Sequence, residues 1–221
     1  MTEPSHPATK TPIPDEPRWP VVLGLVVAGG LYAALPPELS VGGRWLLLVI
    51  VGVLTVLSLI AHRGGYHQIN MILGYISEGI ITLFLLWSVG MLIGALPGKR
   101  VAASELLRSA AAMWFCNVVL FALWYWRLDG GGPYQRRKNA AHTRGAFLFP
   151  PMTQDGQRAA GEKNWSPTFV DYLFLAFNTS TALSPTDVPI LSRWAKLLVM
   201  LQAIISLTLV AVLAARAINI M

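Results

Sequence analysis

The sequence predicts an all-α protein: a multi-pass transmembrane helical bundle with five spanning helices and one re-entrant helix and loop. Three observations carry this. Only 13% of the 221 residues are charged while 54% are apolar, whereas a soluble domain is about a quarter charged. Apolar runs of 17 or more residues recur between short polar loops, long enough to cross a hydrocarbon core. One further apolar stretch, from Phe169 to Phe177, is too short to cross yet is followed by polar residues and a full-length run. Such a composition excludes a cytosolic enzyme. The single cysteine, Cys116, excludes an intramolecular disulfide and a thiolate metal cluster.

Residues 1–18 hold five prolines with Asp15 and Glu16, too polar to bury a core, and predict a disordered tail. No basic region runs into a short apolar core there, so the tail is not a signal peptide. Three runs then form a transmembrane region over residues 19–96: Trp19 to Leu35, Trp45 to Ala61 and Ile69 to Leu96. The first two are each about 26 Å long as helices. Residues 97–221 form the second region. Its first helix, over 104–126, ends in Trp124-Tyr125-Trp126-Arg127, an aromatic and basic border of the kind found at lipid headgroups. A hydrophilic loop over 127–164 follows, with Gly130-Gly131-Gly132-Pro133 and the cluster Arg136-Arg137-Lys138, and with some order expected near Phe147-Leu148-Phe149.

Ser166-Pro167 reads as a helix start, with Ser as N-cap and Pro in the first turn. The stretch behind it turns polar from Asn178 to Asp187. A short helix, an extended polar strand and a last helix over 194–220 make residues 165–190 a re-entrant segment. Non-helical backbone at membrane depth is tolerated only where protein buries it or it lines a watery cavity.

Over these last 60 residues or so the chain resembles the pore module of the tetrameric potassium-channel superfamily: outer helix, pore helix, filter, inner helix. Thr181-Ala182-Leu183-Ser184-Pro185-Thr186-Asp187 aligns without a gap to that family's Thr-Thr-Val-Gly-Tyr-Gly-Asp. Asp171-Tyr172-Leu173 resemble the start of a pore helix, and residues 192–215 an inner helix. The resemblance implies a homo-oligomer, tetrameric if it is channel-like, with a monovalent cation held by rings of backbone carbonyls. The chain departs from the pattern at Ser184 and Thr186, where the family has glycines that relax the backbone, and at Pro185, which lacks an N–H. A standard potassium filter is therefore not expected. The combination is also similar to uncharacterised bacterial multi-pass membrane proteins that end in a Ser-Pro-Thr-Asp segment and an inner helix, which implies a bacterial inner membrane.

The pore-like or filter-like candidates are Thr179, Thr181, Ala182, Leu183, Ser184, Pro185, Thr186 and Asp187, whose oxygens suit a partly hydrated cation. The alternative is a polar turn that satisfies its own backbone. In the last helix Gln202, Ser206, Leu209 and Leu213 share one face by their spacing of four, three and four. That face lines a pore or packs against other helices, since Gln and Ser serve both purposes. Arg216, near the end of the same helix, is positioned to snorkel to headgroups. Glu78 is the one acid well inside a spanning run and is a site candidate by default, its structural alternative being a hydrogen bond to Asn117 or Gln202. Gly90 and Gly94 read as a helix contact. The four histidines are scattered over tail and loops without metal-ligand spacing, and no phosphate loop or catalytic constellation is present, so neither an enzyme nor a metal or cofactor site is expected.

The net charge of +6 carries little nucleic-acid meaning, because seven of the 17 basic residues lie in the single loop 127–164; the lipid bilayer is the expected partner. Five spans would place twelve of the 17 basic residues on the side of that loop. The positive-inside rule makes this side cytoplasmic, whereas the channel resemblance makes it external. The functional expectation is a membrane protein with an ion-channel-like pore module that conducts cations through a non-standard filter. The alternatives are a non-conducting scaffold of the same architecture and, more weakly, a small proton-coupled carrier that uses Glu78.

Overall fold

The computed structural model describes residues 45–96, 102–138, 145–153, 165–182 and 187–218, together with Val22, Gly24, Gly29, Gly30, Leu35 and Pro36. Among these residues the protein is all-helical, with no strand and one isolated antiparallel bridge between Phe147 and Ile190. Four helices are long and apolar enough to cross a membrane: α1 (Leu46–Arg63), α2 (His67–Ala95), α3 (Ala103–Leu128) and α6 (Arg193–Ile218). The chain is a membrane protein. Between α3 and α6 lie the short α4 (Pro133–Lys138) and α5 (Phe169–Ala182). Most of the first expected span, and Leu183, Ser184, Pro185 and Thr186, lie outside the described residues.

Each long helix follows from its apolar run, and local chemistry sets its ends. At the end of α1, Gly65 takes a left-handed φ of 76°, and the N–H groups of Gly64, Gly65 and Tyr66 close back onto the carbonyls of Ile60, His62 and Ala61. A left-handed glycine is the usual terminator of a helix, and here it lets α2 start within three residues. The outer face of α1, with Val49, Val53, Val56 and Ile60, is exposed, as a lipid-facing surface must be in a protein whose solvent there is hydrocarbon. Gly90 and Gly94 on α2 also face outward, and a Cβ on either would meet nothing within 4 Å. The small pair expected to make a helix contact therefore makes none among the described residues.

The chain is built as a hairpin, α1 with α2, docked on a unit of α3, α5 and α6. Helix α3 is the centre of that unit and packs on α2, α5 and α6; its second half from Leu120 to Leu123 is completely buried. One edge of the bundle collects the end of α3, the start of α2 and the starts of α5 and α6. There His67 stacks on Tyr134 of α4 at 4.1 Å, Trp126 meets Phe169 and Phe147 meets Trp194. At the opposite edge Arg216 donates from Nη2 to the carbonyl of Leu96, so the arginine expected to snorkel instead ties the ends of α6 and α2 together.

Three consecutive glycines make the first edge possible. Gly130, Gly131 and Gly132 have φ of 58°, 79° and 89°, a left-handed run that side chains would strain. A Cβ on Gly132 would also stand 2.9 Å from the Arg127 carbonyl. The reversal brings α4 back under α3, where the buried Arg136 donates from Nη1 to the carbonyls of Trp126 and Asp129, each at 2.7 Å. These carbonyls lie at the end of α3, and that of Asp129 also accepts from the Gly132 N–H at 2.9 Å. The Arg136 guanidinium also lies over the rings of Tyr172 and Trp126, at 5.4 and 6.0 Å.

Candidate functional site

Helix α5 is the element on which the sequence candidates converge, and its start is fixed by an acid of its first turn that reaches back to the residue before it. Thr168 is the N-cap, and the Asp171 carboxylate three residues on accepts from the Thr168 N–H at 2.7 Å and its hydroxyl at 2.8 Å. The helix therefore begins at Phe169, two residues later than the Ser166-Pro167 signal suggests. At the other end it runs on through Asn178, Thr179, Ser180 and Thr181 to Ala182, where the sequence reads as an extended strand. The hydroxyls explain why. Thr179 returns its Oγ1 to the Leu175 carbonyl at 2.9 Å and Thr181 to that of Phe177 at 3.0 Å, so neither competes for a backbone group outside its own turn.

The polar end of α5 is clamped by α6. Gln202 donates from Nε2 to the Ala176 carbonyl at 2.7 Å and to Ser180 Oγ at 2.8 Å, and its Oε1 accepts from the Tyr125 hydroxyl of α3. One turn on, Ser206 donates to the Ser180 carbonyl at 2.6 Å and accepts from Trp114 Nε1 at 2.9 Å. Asn117 of α3 adds a long contact of 3.4 Å to the Gln202 carbonyl. Gln202, Ser206, Leu209, Thr179 and Ser180 are fully or almost fully buried, and Leu213 is half-buried. The face of α6 defined by the sequence is thus turned into its own chain, toward α3 and α5. Thr181, Ala182 and Asp187, by contrast, are exposed.

The segment after α5 is held by the loop between α4 and α5. Leu148 donates to the Pro189 carbonyl at 3.0 Å and Leu191 to that of Ala146 at 2.8 Å. The carboxylate of Asp129, completely buried, accepts from the Ala146 N–H on one oxygen and from the Tyr172 hydroxyl at 2.6 Å on the other. One acid therefore fixes the end of α3, the loop and the second turn of α5. Around it Tyr125, Phe147, Phe149, Trp165 and Tyr172 pack ring against ring. The Phe147-Leu148-Phe149 stretch, where the sequence predicts some order, supplies two of these rings and the backbone bond to Pro189.

No protein-family model, curated protein or solved structure matches the chain.

The partner of Glu78 is the residue that the sequence assigned to the headgroup border. Arg127 Nε donates to Glu78 Oε1 at 2.6 Å, with 7% and 1% of the two side chains exposed; Asn117 and Gln202, the partners considered from sequence, bond elsewhere. Arg127 turns back along α3 and lays its guanidinium on Gly74, where a Cβ would overlap Cζ and both terminal nitrogens. One turn beyond Glu78, Thr82 donates to the Glu78 carbonyl at 2.7 Å and accepts from Trp124 Nε1 at 3.0 Å. Gly74, Glu78 and Thr82 recur every fourth residue on one face of α2 and meet Trp124 and Arg127, three apart on α3. That spacing is the signal by which the seam is legible.

Proposed function

We propose that α3, α5 and α6 form the pore-like module of a homo-oligomeric membrane protein that passes cations, in a bacterial inner membrane. The single observation that carries this is α5 itself: 14 residues, about 21 Å of helix, with a capped start and a clamped polar end. It starts beside the end of α3, where Tyr172 meets Asp129, and stops beside Trp114 and Ser206, near the middles of α3 and α6. Residues 189–191 are back at the starting edge against 146–148. These positions support a re-entrant course for residues 165–190.

On this reading the C-terminal end of α5, carrying the negative end of the helix dipole, points toward mid-depth, where it favours a cation over an anion. Thr181 and Asp187 are exposed and carry oxygens that suit a cation, and in an oligomer each becomes a ring. Gln202 and Ser206 serve as the clamp that sets α5 rather than as pore lining. The absence of the family's glycines makes the filter non-standard.

A second reading, a non-conducting scaffold of the same architecture, is favoured by the bonding of Gln202 and Ser206 to Ser180, which occupies those side chains within the chain. Ion flux into liposomes under separate potassium, sodium and proton gradients decides between them. The pore reading expects flux that Asp187→Ala and Thr181→Ala alter while the oligomer survives. Folded, oligomeric protein without flux under any gradient refutes it in favour of the scaffold, and proton flux abolished by Glu78→Gln alone would support the carrier.

A further inference from the structure

Glu78 is held with unusual asymmetry. Its Oε1 takes the Arg127 Nε–H, its backbone carbonyl takes the Thr82 hydroxyl, yet Oε2 is buried with no hydrogen-bond partner among the described residues. An ionised carboxylate offers about four acceptor sites, and a buried acceptor left unmet is costly. A protonated carboxyl is neutral, and burying a neutral polar group costs less than burying a charge. The guanidinium has its own seat against Gly74, so its place is set by shape as well as by the charge opposite.

The position of the pair matters as much as its chemistry. It joins α2, and through α2 the whole α1–α2 hairpin, to α3, the central helix of the other unit. Among the other ionisable groups of the surrounding elements, Tyr75 is within electrostatic reach of both Glu78 and Arg127. Tyr75, one turn before Glu78, stacks on Trp124 at 6.2 Å. His62 and Arg63 end α1, His67 starts α2 and stacks on Tyr134, and Arg136 is committed to the carbonyls of Trp126 and Asp129. Glu105 and Arg108 belong to the first turns of α3, Arg193 and Lys196 are exposed at the start of α6, and Arg216 bonds Leu96. Arg127 is the cation in direct contact with Glu78.

We propose that Glu78 Oε2 is a proton-binding site and that its occupancy unlatches the α1–α2 hairpin from α3. A proton from water adds to Oε2, Glu78 becomes a neutral carboxyl, and Arg127 keeps its charge but loses the anion opposite. Replacing a buried ion pair by apolar groups is often neutral or stabilising, while leaving one member unpaired is strongly unfavourable; a pair that one proton can break is therefore a two-position element. The inference stands on α2 and α3 and is independent of conduction through residues 179–187.

The test uses the full chain in lipid nanodiscs, from about pH 8 to about pH 4, a range that brackets ordinary carboxyl titration. Infrared difference spectra of the wild-type chain are expected to show the carbonyl band of a protonated, buried carboxyl on acidification, and Glu78→Gln to remove it. Amide exchange over residues 67–82, corrected for its intrinsic pH dependence, is expected to rise roughly tenfold with acid in the wild type. In Glu78→Gln it should be raised already at neutral pH and flat. A wild-type spectrum without the band, a band that persists in Glu78→Gln, or Glu78→Gln exchange equal to wild type at neutral pH overturns the proposal. Should Glu78→Gln not fold, the double variant Glu78→Gln/Arg127→Met removes both charges. It is expected to fold and lose the acid step, and an acid step retained there overturns the proposal equally.

Discussion

Replacing Gln202 by leucine removes three side-chain hydrogen bonds at once: Nε2 to the Ala176 carbonyl, Nε2 to Ser180 Oγ, and the Tyr125 hydroxyl to Oε1. Interhelical hydrogen bonds in membrane proteins contribute on average about 0.6 and at most about 1.7 kcal/mol each. Three of them give a loss of about 2 to 5 kcal/mol, the upper part reached because the Tyr125 hydroxyl is buried and left without its acceptor. That is a shift of between one and four decades in the unfolding equilibrium. Unfolding followed by fluorescence of the eight tryptophans measures it, on single variants and on the cycle Gln202→Leu, Tyr125→Phe and both together. Residues in one hydrogen-bond network couple by about 0.5 to 3 kcal/mol, whereas independent sites add within about 0.5 kcal/mol. A Gln202→Leu protein as stable as wild type, or an additive cycle, would refute the placement of Gln202 inside its own chain and return that side chain to an open path.

Two further substitutions probe the other polar nodes. Gly74→Ala forces the Arg127 guanidinium off α2 and should cost about 1 to 3 kcal/mol as overpacking; in the Glu78→Gln/Arg127→Met background the sign reverses, because alanine is a better helix former than glycine by about 1 kcal/mol. Thermal unfolding of the two pairs reads both effects. Asp129→Ala takes the acceptor from the Ala146 N–H and the Tyr172 hydroxyl. At about 1.5 to 3 kcal/mol for each charged hydrogen bond the loss should be about 3 kcal/mol or more, and limited proteolysis should open the chain between Gly145 and Thr153 before any spanning helix is cut.

The long elements were legible because hydrocarbon imposes length: the runs beginning at Trp45, Ile69, Leu106 and Trp194 became α1, α2, α3 and α6 with ends shifted by only a few residues. The Gly130-Gly131-Gly132 reversal was visible as a loop, though the role of Arg136 beneath it depends on where α4 returns. Polar composition misled at Asn178 to Ala182. Thr, Ser and Asn weaken an isolated helix, but here the Thr179 and Thr181 hydroxyls fold back on it and two α6 side chains bond Ser180, a tertiary effect that local pattern does not carry. The cap at Thr168 depends on the reach of Asp171 back to it, a matter of geometry that the Ser166-Pro167 signal does not carry. Glu78 drew notice through its charge. Its partner escaped because an arginine next to three aromatic residues resembles an anchor, and only the glycine one turn before the acid discloses that a guanidinium is received there.

The clamp on α5 also bears on how the chain is made. Helix α5 leaves the ribosome before α6, and until Gln202 and Ser206 have been synthesised the carbonyls of Ala176 and Ser180 lack those donors. A helix this short, with a polar end, has no independent resting place in hydrocarbon. Its start, by contrast, is complete as soon as Thr168 and Asp171 are joined, and its anchorage to Asp129 follows with Tyr172. Biogenesis therefore passes through a stage in which the first turns of α5 are secured at the membrane edge while its last turns wait, and the arrival of α6 is the event that carries them inward.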